Sequence, residues 1–96
     1  MRSYNTGPLI GSIRNRLLKN GIKKASLFGS LHSGEFGEDS DIDIMIETRD
    51  DMSLLDMARL KRELEEITGF KVDLITYGSI DPRYRKKFID NSEVLI

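Results

Sequence analysis

Apolar residues recur every three or four positions in two segments of the chain, and this spacing predicts two amphipathic helices. The first segment follows Pro8, whose fixed backbone angle suits a first helical turn, and it ends at Asn20-Gly21. The second has Ser53 as its predicted N-cap and Gly69 just past its end. The apolar positions are Ile10, Ile13, Leu17 and Leu18 in the first helix, and Leu54, Met57, Leu60, Leu64 and Ile67 in the second.

Four shorter segments have the alternating or continuous apolar character of strands. They are residues 23–28, 40–47, 70–76 and 93–96. A third helix is expected between the last two strands, because Asp81-Pro82 supplies a cap and a first-turn proline. Tyr84 and Phe88 would then share one face of that helix.

The resulting order is helix, strand, loop or short helix, strand, helix, strand, helix and strand. This order predicts an α/β (α+β) fold, with a small mixed sheet of about four strands and helices packed mainly on one face. The long helix between the second and third strands favours a parallel crossover if those strands are neighbours. An antiparallel arrangement with an intervening strand stays open at this point.

Composition limits the chemistry that this fold has available. The chain has 96 residues, which we expect to form a single domain over 1–96. There is no cysteine and His32 is the one histidine, which excludes thiolate zinc sites, disulfides and histidine-rich metal sites. A net charge of -1 excludes a strongly basic nucleic-acid coat. Because no apolar run is long enough to cross a bilayer and no secretion signal opens the chain, we expect a cytoplasmic protein without a membrane partner.

Three aspartates are the candidates for catalysis and metal binding. Side chains two apart on a strand share a face, so Asp41 and Asp43 would project together. Asp73 interrupts an otherwise apolar strand. If the two strands lie close together, the three carboxylates would hold two divalent ions for phosphoryl or nucleotidyl transfer, with Mg²⁺ or Mn²⁺ as the preferred metal. The ordinary alternative is a half-exposed strand with solvated acids.

Small residues follow the first predicted strand. Gly29-Ser30 comes directly after Phe28, and Gly34 lies a few residues further on. Such residues let the backbone approach a ligand closely, and free amides at the start of a helix bind phosphate. An ordinary turn is the alternative for a Gly-Ser pair taken alone. Together with the aspartates, however, this loop would place phosphate donors and metal ligands in one cleft.

The segment GSLHSGEFGEDSDIDI at residues 29–44 resembles the signature of minimal nucleotidyltransferases, a branch of the DNA polymerase beta-like superfamily. The resemblance extends over nearly the whole chain and implies a nucleotidyltransferase palm-like fold. It implies that Asp41 and Asp43 ligate both metals, and that Asp73 ligates one metal and helps to deprotonate the acceptor hydroxyl. The residues it assigns to the nucleotide are Gly29, Ser30, Gly34 and Ser40.

By the same resemblance, the reaction would transfer AMP from ATP to a hydroxyl of a partner protein, with two Mg²⁺ ions and release of pyrophosphate. Minimal members pair with a HEPN-domain protein, for which the nucleotidyltransferase acts as antitoxin. One departure bears on activity, because many members carry arginine where this chain has Leu31 or Ser33. A catalytically weak module that neutralises a HEPN partner by covering it is therefore the alternative. A metal-dependent phosphodiesterase is a third hypothesis, but it leaves Gly29-Ser30 unexplained.

Several properties stay undetermined by the sequence. The nucleotide preference, the acceptor residue, the identity of the partner and the oligomeric state are open, and a homo-oligomer is compatible with the sequence. One local basic cluster lies on the predicted third helix, where a solvated helix face is the simplest explanation. The cluster is Arg83, Arg85, Lys86 and Lys87. Because acidic residues are concentrated around the candidate site, nucleic acid is not expected as a direct partner.

Overall fold

The computed structural model describes residues 7–28 and 41–96, and this part of the chain contains three α-helices, a 3₁₀ helix and four strands. In chain order the elements are α1 (Gly7–Lys19), β1 (Ala25–Phe28), β2 (Ile42–Ile46), α2 (Leu54–Thr68), β3 (Val72–Thr76), the 3₁₀ helix (Tyr77–Ser79), α3 (Pro82–Asp90) and β4 (Glu93–Val94). The predicted mixed α/β fold is confirmed. The predicted loop or short helix between the first two strands lies outside the described residues.

The four strands form one mixed sheet in the order β3-β2-β1-β4. β2 and β3 are parallel neighbours joined through α2, as the long intervening helix predicted, so the antiparallel alternative is wrong. β1 is antiparallel to both β2 and β4. The register pairs Leu27 of β1 with Ile44 of β2, and Ile44 in turn with Leu74 of β3. Residues in register share a face, which makes this row part of the apolar face of the sheet.

The hydrophobic core lies between this apolar face and the helices α1 and α2. Its fully buried side chains include Ile13 and Leu17 from α1, Leu60 and Leu64 from α2, and Leu27, Ile42, Ile44, Ile46 and Val72 from the sheet. In each helix the two buried residues are four positions apart, so each helix contributes one narrow stripe of apolar side chains to the core. The alternation in β2 leaves Asp43 on the opposite face of the sheet.

The apolar positions predicted for the helices are not all buried. Leu18 is 44% exposed, because it lies about 100° around the helix from Leu17. Leu54, in the first turn of α2, is 89% exposed and Ile67 near its end is 37% exposed. The core therefore uses a narrower stripe of each helix than the sequence spacing predicted.

The ends of α2 explain why this helix is the best predicted element. Ser53 accepts a hydrogen bond from the amide of Asp56, and the Asp56 carboxylate accepts one from the amide of Ser53. This reciprocal pair is a capping box. Gly69 ends the helix at φ 76°, a left-handed conformation that favours glycine, and its amide donates to Glu65.

Two features differ from the expected boundaries. β4 contains Glu93–Val94 alone, because the amides of Leu95 and Ile96 both donate to the same carbonyl, that of Ala25, and the regular ladder stops there. The 3₁₀ helix directly after β3 was not predicted. Among the described residues, none of the helices has both the length and the apolar character that crossing a membrane requires.

Candidate active site

Asp43 of β2 and Asp73 of β3 lie side by side on the face of the sheet opposite the core. They are Cα partners in the parallel register, so their side chains project from the same face of neighbouring strands. Both residues are half-buried. Their side chains are close enough for the Asp73 carboxyl group to raise the pKa of Asp43. The pairing of β2 with β3 therefore brings together two acids that are 30 positions apart in the sequence.

The environment of this pair favours protonation of Asp43. Burial is the largest of several causes that together raise the pKa of Asp43 from its ordinary value of 3.8 to about 6. The negative charges of Asp73 and then Asp41 contribute to this rise, and the interaction with the Asp73 side chain acts in the same direction. Negative charge at this position is thus costly in the metal-free protein.

Asp41 lies one residue before β2, close enough for its charge to act on Asp43. The amide of Ile42 donates to the carbonyl of Lys71 at 2.8 Å, which ties the chain to the β3 side immediately after Asp41. Within residues 7–28 and 41–96, no three acidic, histidine or cysteine side chains are close enough to hold a metal ion jointly. The structure therefore puts Asp43 and Asp73 in contact and leaves Asp41 beside them.

The Asp43 and Asp73 pair fits a hard divalent cation. Two half-buried carboxylates in contact provide the oxygen ligands that Mg²⁺ and Mn²⁺ prefer. A bound cation would offset the burial and the repulsion that raise the pKa of Asp43, and its charge would favour deprotonation of Asp43. The arrangement suits reactions in which charge develops on phosphate oxygens.

The other predicted site residues lie outside the described residues. These are Gly29, Ser30, Gly34 and Ser40, together with Leu31, His32 and Ser33. The segment that contains them begins directly after Phe28, and Phe28 is the Cα partner of Asp43 across β1 and β2. The register therefore places Phe28, the last described residue before this segment, one strand away from Asp43.

An aromatic cavity beside the aspartates was not predicted from the sequence. It has a volume of about 280 Å³ and lies between the end of β1 and one face of α3. The rings of Phe28 and Phe88 meet edge to face, with centroids 5.9 Å apart. The lining residues are Phe28, Tyr84, Lys87, Phe88 and Asn91. The spacing of Tyr84 and Phe88 indicated a shared helix face, but no local signal identified β1 as the surface that it packs against.

A second contact that the sequence did not reveal supports the same face of the sheet. Ser26 Oγ of β1 and Tyr77 Oη of the 3₁₀ helix form a hydrogen bond of 2.6 Å, and Ser26 is buried. The ammonium group of Lys24 lies 4.9 Å from the centroid of the Tyr77 ring, within the range of a cation–π contact. These contacts attach the segment after β3 to β1 and so brace β3, which carries Asp73.

Comparison with known proteins places this geometry in a family. The family model described as "Polymerase beta, Nucleotidyltransferase" matches residues 12–96. A provisionally assigned protein adenylyltransferase of Methanocaldococcus jannaschii, MJ0435, is 49% identical over 76 residues, which cover 79% of this chain and 82% of the relative.

Solved structures agree with the family model. A provisionally assigned minimal nucleotidyltransferase has a TM-score of 0.77 at 31% identity, over 86% of this chain and 85% of that chain. A complex of the tri-AMPylated HEPN toxin of Shewanella oneidensis with its MNT antitoxin contains a chain with a TM-score of 0.71. That match covers 93% of this chain and 70% of the other, and at 21% identity it shows the shared fold. This chain therefore belongs to the minimal nucleotidyltransferases, within the polymerase beta nucleotidyltransferase family.

Proposed function

We propose that this chain transfers AMP from ATP to a hydroxyl group on a partner protein and releases pyrophosphate. The observation that carries the proposal is the contact between Asp43 and Asp73 on adjacent parallel strands. Membership of the nucleotidyltransferase family supports the reaction class. The name of the M. jannaschii relative, a protein adenylyltransferase, supports AMP as the transferred group and a protein as the acceptor.

In this proposal Asp43 and Asp73 would hold Mg²⁺, with Mn²⁺ as a substitute. Asp41 lies beside this pair without completing a three-residue cluster and would join it when the ion binds. The bound ions would supply neutralisation of the charge that develops on the phosphate oxygens. Asp43, between its two acidic neighbours, is the residue whose pKa is raised by both of them. Deprotonation of Asp43 is therefore linked to cation binding. Gly29, Ser30, Gly34 and Ser40 are proposed to contact the nucleotide, on the resemblance of their segment to the family signature.

The chemical step assigns separate roles to the aspartates. The acceptor oxygen forms a bond with the α-phosphorus, the bond from that phosphorus to the bridging oxygen of the β-phosphate breaks, and pyrophosphate leaves. Asp73 would accept the hydroxyl proton, because it lies on β3, the edge strand of the sheet, where an acceptor can approach. Asp43 would help to hold the divalent cation, which would supply the positive charge needed to position the reacting phosphate.

The proposed partner is a HEPN-domain protein, for which this chain would act as antitoxin. The support is the fold shared with the S. oneidensis complex, which pairs an MNT antitoxin with a HEPN toxin that carries AMP. We further propose that residues 1–96 act as a single nucleotidyltransferase domain and that a separate protein supplies the acceptor. The cytoplasm is the proposed compartment, because ATP and such a partner would meet there.

A second candidate function is neutralisation of the partner by binding alone. It is favoured by the exposed leucines at the start of α2, since Leu54 is 89% and Leu55 77% exposed. Exposed neighbouring leucines are typical of protein contact surfaces. Leu31 and Ser33, which stand where many family members carry arginine, also favour weak catalysis.

Label transfer separates the two functions. The protein and its co-encoded HEPN partner are incubated with ATP labelled at the α-phosphate and with Mg²⁺. The wild type is compared with a double variant, Asp41→Asn plus Asp43→Asn. The matched control is Asp50→Asn plus Asp51→Asn, two exposed aspartates beyond the other end of β2. The proposal predicts transfer by the wild type and the control and a loss of at least about a hundredfold in the site variant. A stable complex with no transfer by the wild type would support binding alone.

A further inference from the structure

Three side chains stand in a row across the open face of the sheet, one from each of three neighbouring strands. The register pairs Asp73 with Asp43 and Asp43 with Phe28. Neighbouring strands lie about 4.8 Å apart. The backbone of Phe28 is therefore about 5 Å from that of Asp43 and about 10 Å from that of Asp73 along this row. The row begins with Asp73 on the edge strand β3 and ends with Phe28, whose ring lines the aromatic cavity.

This order separates two sides of the reaction centre. In the proposed function Asp73 is on the acceptor side, and the reacting α-phosphate lies beside Asp43. The in-line geometry places the leaving pyrophosphate opposite the attacking hydroxyl, and the nucleoside is a separate substituent of the α-phosphorus. With the acceptor on the β3 side, the nucleoside would extend over the β1 side of Asp43, where Phe28 and α3 form the aromatic cavity.

The cavity has the size and surface that suit an aromatic ring. Its volume of about 280 Å³ is just below the range for complete small-molecule sites, about 300–1,000 Å³, so it suits one part of a nucleotide. Tyr84 is 54% and Phe88 38% exposed. The Arg83 guanidinium lies 5.7 Å from the centroid of the Tyr84 ring, so a base would stack on the ring surface that Arg83 leaves open. Lys87 brings a positive charge to the same lining and would attract the phosphates of a bound nucleotide.

Asn91 adds a polar contact at the same face of α3. Its amide nitrogen donates to the carbonyl of Lys87 at 2.8 Å, which fixes the orientation of the side chain. Among the described residues, no partner is found for the Asn91 side-chain oxygen. An acceptor in this position matches an exocyclic amino group on the edge of a base.

We propose that the cavity formed by Phe28, Tyr84 and Phe88 binds the nucleobase of the donor nucleotide. This inference rests on the proposed function and adds the residues that would recognise the donor. Tyr84 would stack on the base, while the edge-to-face contact of Phe88 with Phe28 fixes the wall of the cavity. Tyr84 is a binding residue in this account and takes no part in bond formation.

Equilibrium binding tests the proposal without relying on catalysis. Dissociation constants are measured for ATP and for inorganic triphosphate, which has no base, each with Mg²⁺. The variants are Tyr84→Ala, Tyr84→Phe, which keeps the ring, and Ile89→Ala as control, because Ile89 is exposed on the same helix but does not line the cavity. Melting temperatures confirm that each variant is folded.

The expected result is selective for the base. Tyr84→Ala weakens ATP binding about tenfold or more, as loss of one base–aromatic stack does, and leaves triphosphate binding unchanged. Tyr84→Phe and Ile89→Ala bind both ligands as the wild type does. Unchanged ATP binding in Tyr84→Ala overturns the proposal, as does an equal loss for both ligands. So does unchanged ATP binding with a raised KM for the protein acceptor, which would assign the cavity to the acceptor.

Failure of the function can be told apart from failure of the inference. If the wild type transfers AMP and Tyr84→Ala binds ATP normally, the base site is wrong and the proposed function stands. If the wild type binds ATP no more tightly than triphosphate, the base site is again wrong. If the wild type binds neither ligand and transfers no label, the proposed function fails, and the base site fails with it.

Discussion

Asp43 and Asp73 are Cα partners on neighbouring parallel strands although both are acids, and the Asp73 carboxyl group raises the pKa of Asp43. A sheet that serves packing alone would not place two carboxyl groups in register on neighbouring strands, because like charges directly opposite each other destabilise the pair. The same two carboxyl groups are the ligands proposed for a divalent cation. Replacing these two carboxyl groups should therefore raise the stability of the metal-free protein and lower its affinity for the metal.

We expect Asp43→Asn to stabilise the metal-free protein at neutral pH. Because the pKa of Asp43 is raised to about 6, its contribution to stability is fully present below its ordinary value of 3.8 and is lost as the pH rises through about 6. Asparagine stays neutral and still bonds with Asp73, so it removes this loss. Allowing for solvent screening, the gain is about 1 kcal/mol, which is about 4–8 °C in Tm.

Urea unfolding in EDTA from pH 4 to pH 8 measures this effect. The wild type should lose stability between pH 4 and pH 7 relative to Asp43→Asn, and the two curves should converge at low pH. Asp50→Asn, at an exposed position, serves as the control and should follow the wild type. A lower free energy of unfolding for Asp43→Asn than for the wild type at pH 7 would show that the Asp43 carboxylate does not destabilise the folded protein.

Mg²⁺ should stabilise the wild type and not the variants of the aspartate pair. A ligand that binds the folded state alone adds about 2.7 kcal/mol when its concentration is a hundred times its Kd. We expect the Tm of the wild type to rise with Mg²⁺ concentration. Asp43→Asn plus Asp73→Asn should start from a higher Tm and show no such rise. An equal rise of Tm in the double variant would show that Mg²⁺ binds at a site other than the aspartate pair.

The hydrogen bond between Ser26 and Tyr77 should be worth more than a surface contact. Tyr77→Phe leaves the buried Ser26 hydroxyl without this partner, and we expect a cost of about 1–3 kcal/mol. The phenyl ring would still receive the Lys24 ammonium group. A double-mutant cycle with Ser26→Ala isolates the coupling, since the double variant should cost less than the sum of the single ones. Strict additivity would mean that the bond contributes nothing.

The capping box of α2 should be detectable in the stability of the whole domain. Ser53→Ala removes the acceptor for the Asp56 amide, and we expect a loss of about 1 kcal/mol. Ser53→Asp keeps a capping oxygen and should retain most of the stability. Thermal unfolding of the three proteins decides the point, and a Tm for Ser53→Ala equal to that of the wild type would contradict the role of the cap.

Features that depend on residues close together in the sequence could be predicted, whereas most contacts between distant segments could not. The ends of α2 at Ser53 and Gly69 were predictable, because caps and left-handed glycines act within a few residues. The parallel pairing of β2 with β3 also followed from the long helix between them. The meeting of Asp43 and Asp73 was predicted on the condition that these strands were neighbours, and the sheet order meets that condition.

Contacts between distant segments were not predictable in the same way. Ser26 and Tyr77 are 51 positions apart, and neither residue type indicates the other. The packing of Phe28 on Phe88 depends on where α3 crosses the sheet, which no local pattern determines. The exposure of Leu54 and Leu18 has the same origin, since helix periodicity does not specify how wide a stripe the sheet will cover.

Transfer of label from ATP tests the central claim most directly. ATP labelled at the α-phosphate is compared with ATP labelled at the γ-phosphate, using the wild type and Asp73→Asn in the presence of Mg²⁺ and the HEPN partner. The account predicts that the α-label becomes attached to the partner protein, that the γ-label is released in pyrophosphate, and that Asp73→Asn attaches neither. Attachment of the γ-label, or undiminished transfer of the α-label by Asp73→Asn, would contradict it.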